Sequence, residues 1–116
     1  MQRSFRLTRS EDFKRVRRDG KSYAHPLVVL IVESNDQMHV RVGVAAGKSV
    51  GTAVIRNRTK RLLREAMRTL FPDIASNLDL ILIARPALAS ATLADTQRAL
   101  LNLLRRAKIL TPKHES

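Results

Sequence analysis

The stretch from residue 51 to residue 70 reads GTAVIRNRTKRLLREAMRTL, and the rest of the chain must fold around it. Advancing by about 100° per residue places its apolar side chains on one continuous face. These are Ile55, Thr59, Leu62, Leu63, Ala66, Met67 and Leu70. The stretch therefore predicts a single amphipathic helix with Thr52 as its N-cap, and its apolar face requires a hydrophobic core on one side.

The opposite side of this helix is strongly basic. We call it the basic ridge and define it as Asn57, Lys60, Arg61, Arg64 and Arg68, together with Arg56 and Arg58 at the two seams between the polar and apolar sides. An ordinary solvent-facing side is the alternative, but such sides usually mix both signs of charge, and Glu65 is the only carboxylate here. Like charges at i,i+4 repel by a few tenths of a kcal/mol each, and a polyanion removes that repulsion. Because the guanidinium group suits bidentate phosphate contact, the ridge predicts a nucleic-acid surface.

The composition supports the same partner class. The chain has 116 residues, 22 Lys plus Arg against 10 Asp plus Glu, a net charge of +12 and 44% hydrophobic residues. This predicts one small RNA-binding domain over residues 1–116, with salt-dependent binding. Without cysteines there is no disulfide or cysteine-ligated zinc, and the longest apolar run, Leu27–Val32, is too short to span a membrane. We expect a cytoplasmic protein with no membrane partner.

The remaining pattern predicts two further helices. The first spans Arg9–Asp19, opens with a capping box at Thr8 to Glu11, and turns Phe13 and Val16 inward while Arg15 faces outward. The last spans Thr92–Lys108 and opens with a Thr92–Asp95 cap. We expect residues 1–7 to form a basic arm and residues 111–116 a flexible tail.

Three apolar runs predict strands. Leu27–Glu33 and Met38–Val44 are separated by a short connector, which favours an antiparallel hairpin. Asp79–Arg85 is apolar throughout, as in a strand buried on both faces of a sheet. The order αββ(β)αβα, with a possible small extra strand around Lys48, predicts an α+β two-layer sandwich with its helices on one side of the sheet.

Catalytic and metal-binding patterns are missing from the sequence. The Gly47-Lys48-Ser49 segment is not a P-loop, because position 42 is a valine where that motif needs glycine. His25 and His39 stand apart from carboxylate clusters, and the carboxylates themselves are scattered. We therefore predict no catalytic residue and no metal ligand, and Lys48, near the helix entrance, is expected to contact phosphate.

The same residues carry a family resemblance. Arg56-Asn57-Arg58, then Lys60-Arg61 and Arg64-Glu65, preceded by Lys48 to Val54, resemble the signature of the protein subunit of bacterial ribonuclease P. The similarity runs from about Arg6 to Lys108, nearly the whole chain. It implies a compact α+β fold like that of a ribosomal protein domain, with a left-handed crossover that breaks the usual right-handed rule.

The resemblance also implies a function. In ribonuclease P the RNA subunit is the catalyst, and the small basic protein assists it in removing the 5′ leader of precursor tRNA by metal-dependent hydrolysis. The implied partners are the ribonuclease P RNA subunit and precursor tRNA, and the implied metal is Mg²⁺ required by the RNA holoenzyme, with no cofactor bound by the protein. The residues that match the family's RNA-facing motif are Arg56, Asn57, Arg58, Lys60, Arg61 and Arg64. We add Lys48, near the helix entrance, and Arg68, on the basic side of the helix, to the predicted RNA-binding residues.

A cleft for the leader is implied as well. Phe13 matches an aromatic residue of this cleft, whereas Arg17, Val28 and Ile31 stand where members of the family often carry aromatics. A small ribosomal or general RNA-binding protein remains the alternative, since charge and composition alone support it equally. A helix-turn-helix fits less well, because a strand precedes the basic helix.

Overall fold

The computed structural model describes residues 6–111, which form one sheet and three α-helices. The elements are α1 (Ser10–Asp19), β1 (Lys21–Ala24), β2 (Val28–Ser34), β3 (Arg41–Ala46), α2 (Ala53–Arg68), β4 (Leu78–Ala84) and α3 (Leu93–Arg106). Short 3-10 helices cover Lys48–Val50, Phe71–Asp73 and Pro86–Ser90. The predicted α+β single domain is confirmed. Most of the predicted arm, residues 1–5, and of the predicted tail, residues 112–116, lies outside the described residues.

The sheet has the order β1-β2-β4-β3, with β4 in its interior. Strand β4 runs antiparallel to β2, so that Leu30 pairs with Leu82, and parallel to β3, so that Val42 pairs with Leu80. The predicted hairpin between β2 and β3 is wrong, because β4 separates them. Strand β4 is apolar on both faces, so it buries the most surface when it lies between two neighbouring strands. Parallel strands need a crossover connection, and helix α2 supplies it between β3 and β4.

Both faces of the sheet are covered. On one face, Leu30, Leu80 and Leu82 pack with α2 and α3 in the main core. On the other face, Ile31 and Ile81 pack with Val16 of α1. The predicted two-layer arrangement with all helices on one side is therefore corrected: α1 lies opposite α2 and α3, because β2 and β4 present apolar side chains to both faces.

The additional strand lies elsewhere than predicted. It is β1, which pairs with β2, whereas Lys48–Val50 is a 3-10 helix that Gly51, at φ 149°, joins to α2. Gly20 links α1 directly to β1 and packs against β2, since a Cβ there would lie 2.7 Å from Ile31 Cγ2 and 2.9 Å from the carbonyl oxygen of Val32. A larger residue at position 20 would push α1 away from the sheet.

Of the caps predicted for α1 and α3, the structure contains only the one at α3. At α1 the N-cap is Arg9, whose side chain makes no capping hydrogen bond, so the predicted capping box is wrong. At α3 the capping box between Thr92 and Asp95 is complete and confirmed. Thr92 Oγ1 accepts from the amide of Asp95 at 3.0 Å.

A buried carboxylate ties α1 to the sheet. Asp79, with 0% of its side chain exposed, accepts hydrogen bonds from Arg41, Asn35 and Arg15. Arg15 also donates to Glu33 at 2.5 Å, so it does not face outward as predicted. Burial alone would raise the pKa of Asp79, but the hydrogen bonds from Arg41, Asn35 and Arg15 outweigh it and lower that pKa.

Candidate nucleic-acid interface

Helix α2 has the orientation that its sequence predicts. Its N-cap is Thr52, whose hydroxyl accepts from the amide of Ile55 at 3.4 Å. The predicted apolar face is turned into the core, where Leu63, Ala66 and Met67 have no exposed surface. The ridge therefore lies on the side away from the core: Asn57, Arg58, Arg61 and Arg68 are exposed, and Arg56, Lys60 and Arg64 are half-buried. Lys48 is exposed on the 3-10 helix just before α2.

One flank of the ridge borders the 3-10 helix Pro86–Ser90. Arg58 donates from Nη2 to the carbonyl oxygen of Ala89 at 3.2 Å, which fixes the guanidinium group beside that segment. Arg56 has a buried Nε that finds no hydrogen-bond acceptor among the described residues. Further along the helix, Arg68 pairs with Glu65 at 3.0 Å. Most cations of the ridge thus keep donors available to an external acceptor.

The other flank of the ridge borders a groove. Arg64 reaches the groove from α2, and Phe13 reaches it from α1. The groove has a volume of about 200 Å³ and is lined by Arg6, Leu7, Thr8, Phe13, Val42, Gly43, Val44 and Arg64. Burial, and after it the charge of Arg6, lowers the pKa of Arg64. Two guanidinium groups that repel each other at one groove favour an anionic occupant.

Backbone geometry shapes this groove. Residues 6 and 7 run beside the edge of the sheet: Arg6 forms a parallel bridge with Val42, and the Leu7 amide donates to the Val42 carbonyl at 2.9 Å. The ring of Phe13 packs directly against Gly43, which has no Cβ; a Cβ at this position would lie 2.5 Å from Phe13 Cζ. The groove therefore lies between the N-terminal segment, α1 and β3.

The residues predicted for a leader cleft do not all meet. Phe13 lines the groove, while Arg17 is exposed on α1 outside its lining. Ile31 is covered by α1, with 5% exposed. The prediction that Val28 lies in the same cleft is wrong. Val28 is fully buried in the core under α2 and α3, on the face of the sheet opposite to Ile31, because the two residues are an odd number of positions apart in one strand.

Sequence reasoning missed most of the groove. Arg6, Thr8, Gly43 and Val44 line it, and the sequence had placed them only in a basic arm, a capping box and a strand, with no role in a cleft. The glycine that interrupts the apolar alternation of β3 is a local signal of close approach. The docking of residues 6–8 on β3 is a long-range contact with no local pattern.

Metal-binding groups are not clustered in the part of the chain that the structure describes. No three His, Cys, Asp or Glu side chains between residues 6 and 111 are placed to hold an ion. His25 accepts at Nδ1 from the amide of Leu27 at 3.1 Å, an ordinary turn contact.

Comparisons with known proteins decide the family. The family model described as Ribonuclease P matches residues 1–108. This chain belongs to the ribonuclease P protein family. The ribonuclease P protein component of Herpetosiphon aurantiacus is 43% identical over 109 residues, which cover 94% of this chain and 89% of that protein. That of Brevibacillus brevis is 40% identical over 111 residues, covering 95% and 88%.

Solved ribonuclease P proteins share the fold. The Staphylococcus aureus protein superposes with a TM-score of 0.83 at 31% identity, covering 92% of this chain and 98% of that one. The Thermotoga maritima protein gives a TM-score of 0.78 at 30% identity, covering 87% and 96%. The chain is a protein component of ribonuclease P, the endoribonuclease of tRNA processing, and works with an RNA partner. Within residues 6–111, no helix has the length and apolar character needed to cross a membrane.

Proposed function

We propose that the basic ridge binds the catalytic RNA subunit of ribonuclease P and that the groove beside it binds the 5′ leader of precursor tRNA. The protein then holds substrate and catalyst together while the RNA removes the leader. One observation carries this assignment: Arg64 belongs to the ridge on α2 and also lines the groove with Phe13. A leader in the groove would lie directly beside RNA bound along the helix.

The charge distribution supports the ridge as the surface for the RNA subunit. Exposed Arg58 and Arg61 and half-buried Arg56 present donors along about two turns of one helix. A folded RNA offers phosphates on that length scale, and each contact releases condensed counterions.

The groove suits a single strand better than a duplex. Among residues 6–111, it presents one aromatic ring, Phe13, and two cations, Arg6 and Arg64. One ring stacks with any base, and the cations attract the backbone. The groove therefore supports leader binding with modest base preference.

The protein's proposed role is positioning. Its ridge and groove residues bind and orient RNA, and none is assigned a bond-breaking step. We propose that the Mg²⁺ required for phosphodiester hydrolysis is bound by RNA in the holoenzyme, where it would stabilise the charge that develops at the cleaved phosphate. We also propose a cytoplasmic location, where precursor tRNA meets its processing enzymes.

Titration of the RNA subunit with the protein tests the ridge. Arg61→Ala should weaken binding and lower the slope of log K against log salt by about one, because one phosphate contact is lost. Arg105→Ala is the matched control, since it removes another exposed arginine, from α3, and should change neither quantity. Equal effects of both variants would mean that net charge, and not the ridge, determines binding.

A second measurement separates the proposal from general RNA binding. RNA that copurifies with the native protein should be dominated by one structured RNA that cleaves precursor tRNA in the presence of the protein and Mg²⁺. Ribosomal RNA in its place would support the ribosomal alternative. Leader removal by the RNA-free protein would overturn the assignment of catalysis to the RNA.

A further inference from the structure

A pocket opens on the flank of α2 that faces away from the leader groove. It lies between α2 and the 3-10 helix Pro86–Ser90, with a volume of about 330 Å³. Fully buried Leu88 and almost fully buried Thr59 form its floor. Half-buried Leu62, Ala89 and Ala91 form its walls, and exposed Arg58 and Ser90 form its rim. The pocket thus combines a lining of apolar and polar groups with a cationic edge.

We propose that this pocket receives one unpaired base of the RNA subunit, which is flipped out of the RNA as it lies along the ridge. The inference rests on the proposed function and adds to it a contact that reads a base. The size is that of a small ligand site, and a lining that is part apolar and part polar suits a base, which has a flat ring and polar edges. The RNA backbone to which the base is attached would lie over Arg58 and Arg61.

The position of Arg58 favours a base over a detached apolar ligand. Its guanidinium group is held at the pocket edge by the bond to the Ala89 carbonyl, so that its orientation is set before binding. A fixed guanidinium plane can stack on a base, and single-stranded RNA is commonly recognised in this way. A neutral apolar ligand would gain nothing from this cation, whereas a nucleotide uses both the apolar interior and the charge.

An exposed apolar side chain extends the same surface. Val54 is 75% exposed and lies four residues before Arg58, on the same side of α2. An isolated exposed valine needs no explanation by itself. Here it lies one helical turn before Arg58 of the basic ridge, where a sugar or base next to the bound nucleotide would cover it. The surface therefore combines phosphate contacts with apolar contacts along one helix face.

Filling the pocket tests the inference in the complex of the full chain with its RNA subunit. Ser90→Leu places an apolar side chain at the pocket rim, at an exposed position that does not contribute to the core. Ala87→Leu is the matched control, because Ala87 is exposed on the same 3-10 helix and does not line the pocket. Both variants should melt at the temperature of the parent protein.

Ser90→Leu should weaken RNA binding by roughly 5- to 150-fold, the range for loss of one stacked base, and leave the salt slope unchanged. Ala87→Leu should bind like the parent. Chemical probing of base edges should show one or a few unpaired bases that the parent protects and that Ser90→Leu exposes. Val54→Ser, which alters no core contact, should give a smaller loss with the same unchanged salt slope.

The outcomes separate this inference from the proposed function. If Ser90→Leu binds as tightly as Ala87→Leu and protects the same bases, the pocket holds no base, while the effect of Arg61→Ala on the salt slope still supports the ridge. A reduced salt slope for Ser90→Leu would also overturn the inference, since it would mean that a phosphate contact was lost. Failure of the parent protein to bind the RNA subunit would overturn both.

Discussion

Asp79 and Arg41 face each other across the parallel strands β4 and β3, and two nitrogens of the arginine bind both oxygens of the buried carboxylate. The Nε–Oδ1 distance is 2.9 Å and the Nη2–Oδ2 distance is 2.8 Å. Arg15 of α1 reaches the same carboxylate from the helix that carries Phe13. One buried acid on the central strand β4 therefore connects α1 and the edge strand β3, which border the groove proposed to bind the leader.

Replacing Asp79 should destabilise the fold strongly. Asp79→Ala leaves Arg15 and Arg41 without their buried partner, and breaking a buried pair typically costs about 3–5 kcal/mol. Denaturant unfolding of the isolated protein measures this free energy. Glu65→Ala is the control, because it removes only an exposed carboxylate that pairs with Arg68, and a loss of about 1 kcal/mol or less is expected. Equal losses for both variants would show that the buried network contributes no more than a surface pair.

Acid should weaken the fold through the same residue. The pKa of Asp79 is lowered in the folded protein because hydrogen bonds from Arg41, Asn35 and Arg15 outweigh the effect of its burial. The resulting stabilisation is complete above the unfolded-state pKa of about 3.9 and disappears as pH falls through the lower folded-state value. Thermal melts between about pH 6 and pH 2 should show this loss, and Asp79→Asn should show a shallower one. Parallel curves for the two proteins would exclude Asp79 as its source.

The core face of α2 can be tested apart from the ridge. Leu63→Ala removes a side chain with 0% exposure and should cost about 2–5 kcal/mol, mostly as a cavity. Leu93→Ala makes the same chemical change at a position with 39% exposure and should cost much less. Thermal or denaturant unfolding distinguishes them. Below the melting temperature, Leu63→Ala should retain the salt slope of RNA binding, and a reduced slope would indicate that α2 had rotated.

The helices could be predicted from the sequence because their signals are local. The apolar repeat from Ile55 to Leu70 and the cap formed by Thr52 are contained in one continuous segment, and the structure confirms both. The capping box at Thr92 is similarly local. The cap predicted near Thr8 failed because residues 6 and 7 are drawn onto β3, where Leu7 becomes buried.

Strand pairing and the groove could not be predicted because they depend on distant segments. The short connector after β2 favoured a hairpin with β3, but β4, more than thirty residues later, takes the place between them. The groove likewise joins residues 6–8, Phe13, β3 and α2. Val28 and Ile31 were grouped by resemblance, although strand alternation already places them on opposite faces.

Gly43 should control the shape of the leader groove. Gly43→Ala puts a Cβ 2.5 Å from Phe13 Cζ and 2.9 Å from the Leu7 carbonyl oxygen, so the ring or the N-terminal segment must move. We expect the holoenzyme to lose most of its preference for precursor over mature tRNA. Gly47→Ala is the control, because a Cβ at Gly47 meets nothing within 4 Å. Competition binding with both tRNAs measures the preference, and an unchanged preference for Gly43→Ala would mean that the leader does not use this groove.

Leader recognition should depend more on salt than on leader sequence. In the part of the chain that the structure describes, the groove presents Arg6, Arg64 and one aromatic ring, Phe13, and phosphate contacts carry little base information. Raising monovalent salt from about 50 to 200 mM at fixed Mg²⁺ should therefore weaken precursor binding by orders of magnitude if several phosphates are neutralised. Changes of leader bases should alter affinity only several-fold. Binding titrations of the holoenzyme with varied leaders at several salt concentrations measure both effects.

Phe13→Ala should reduce the remaining base preference. Its melting temperature is measured in parallel, because Phe13 also packs against the smaller core. A shallow salt slope together with a strong base preference would show that the leader is read by base contacts outside this groove.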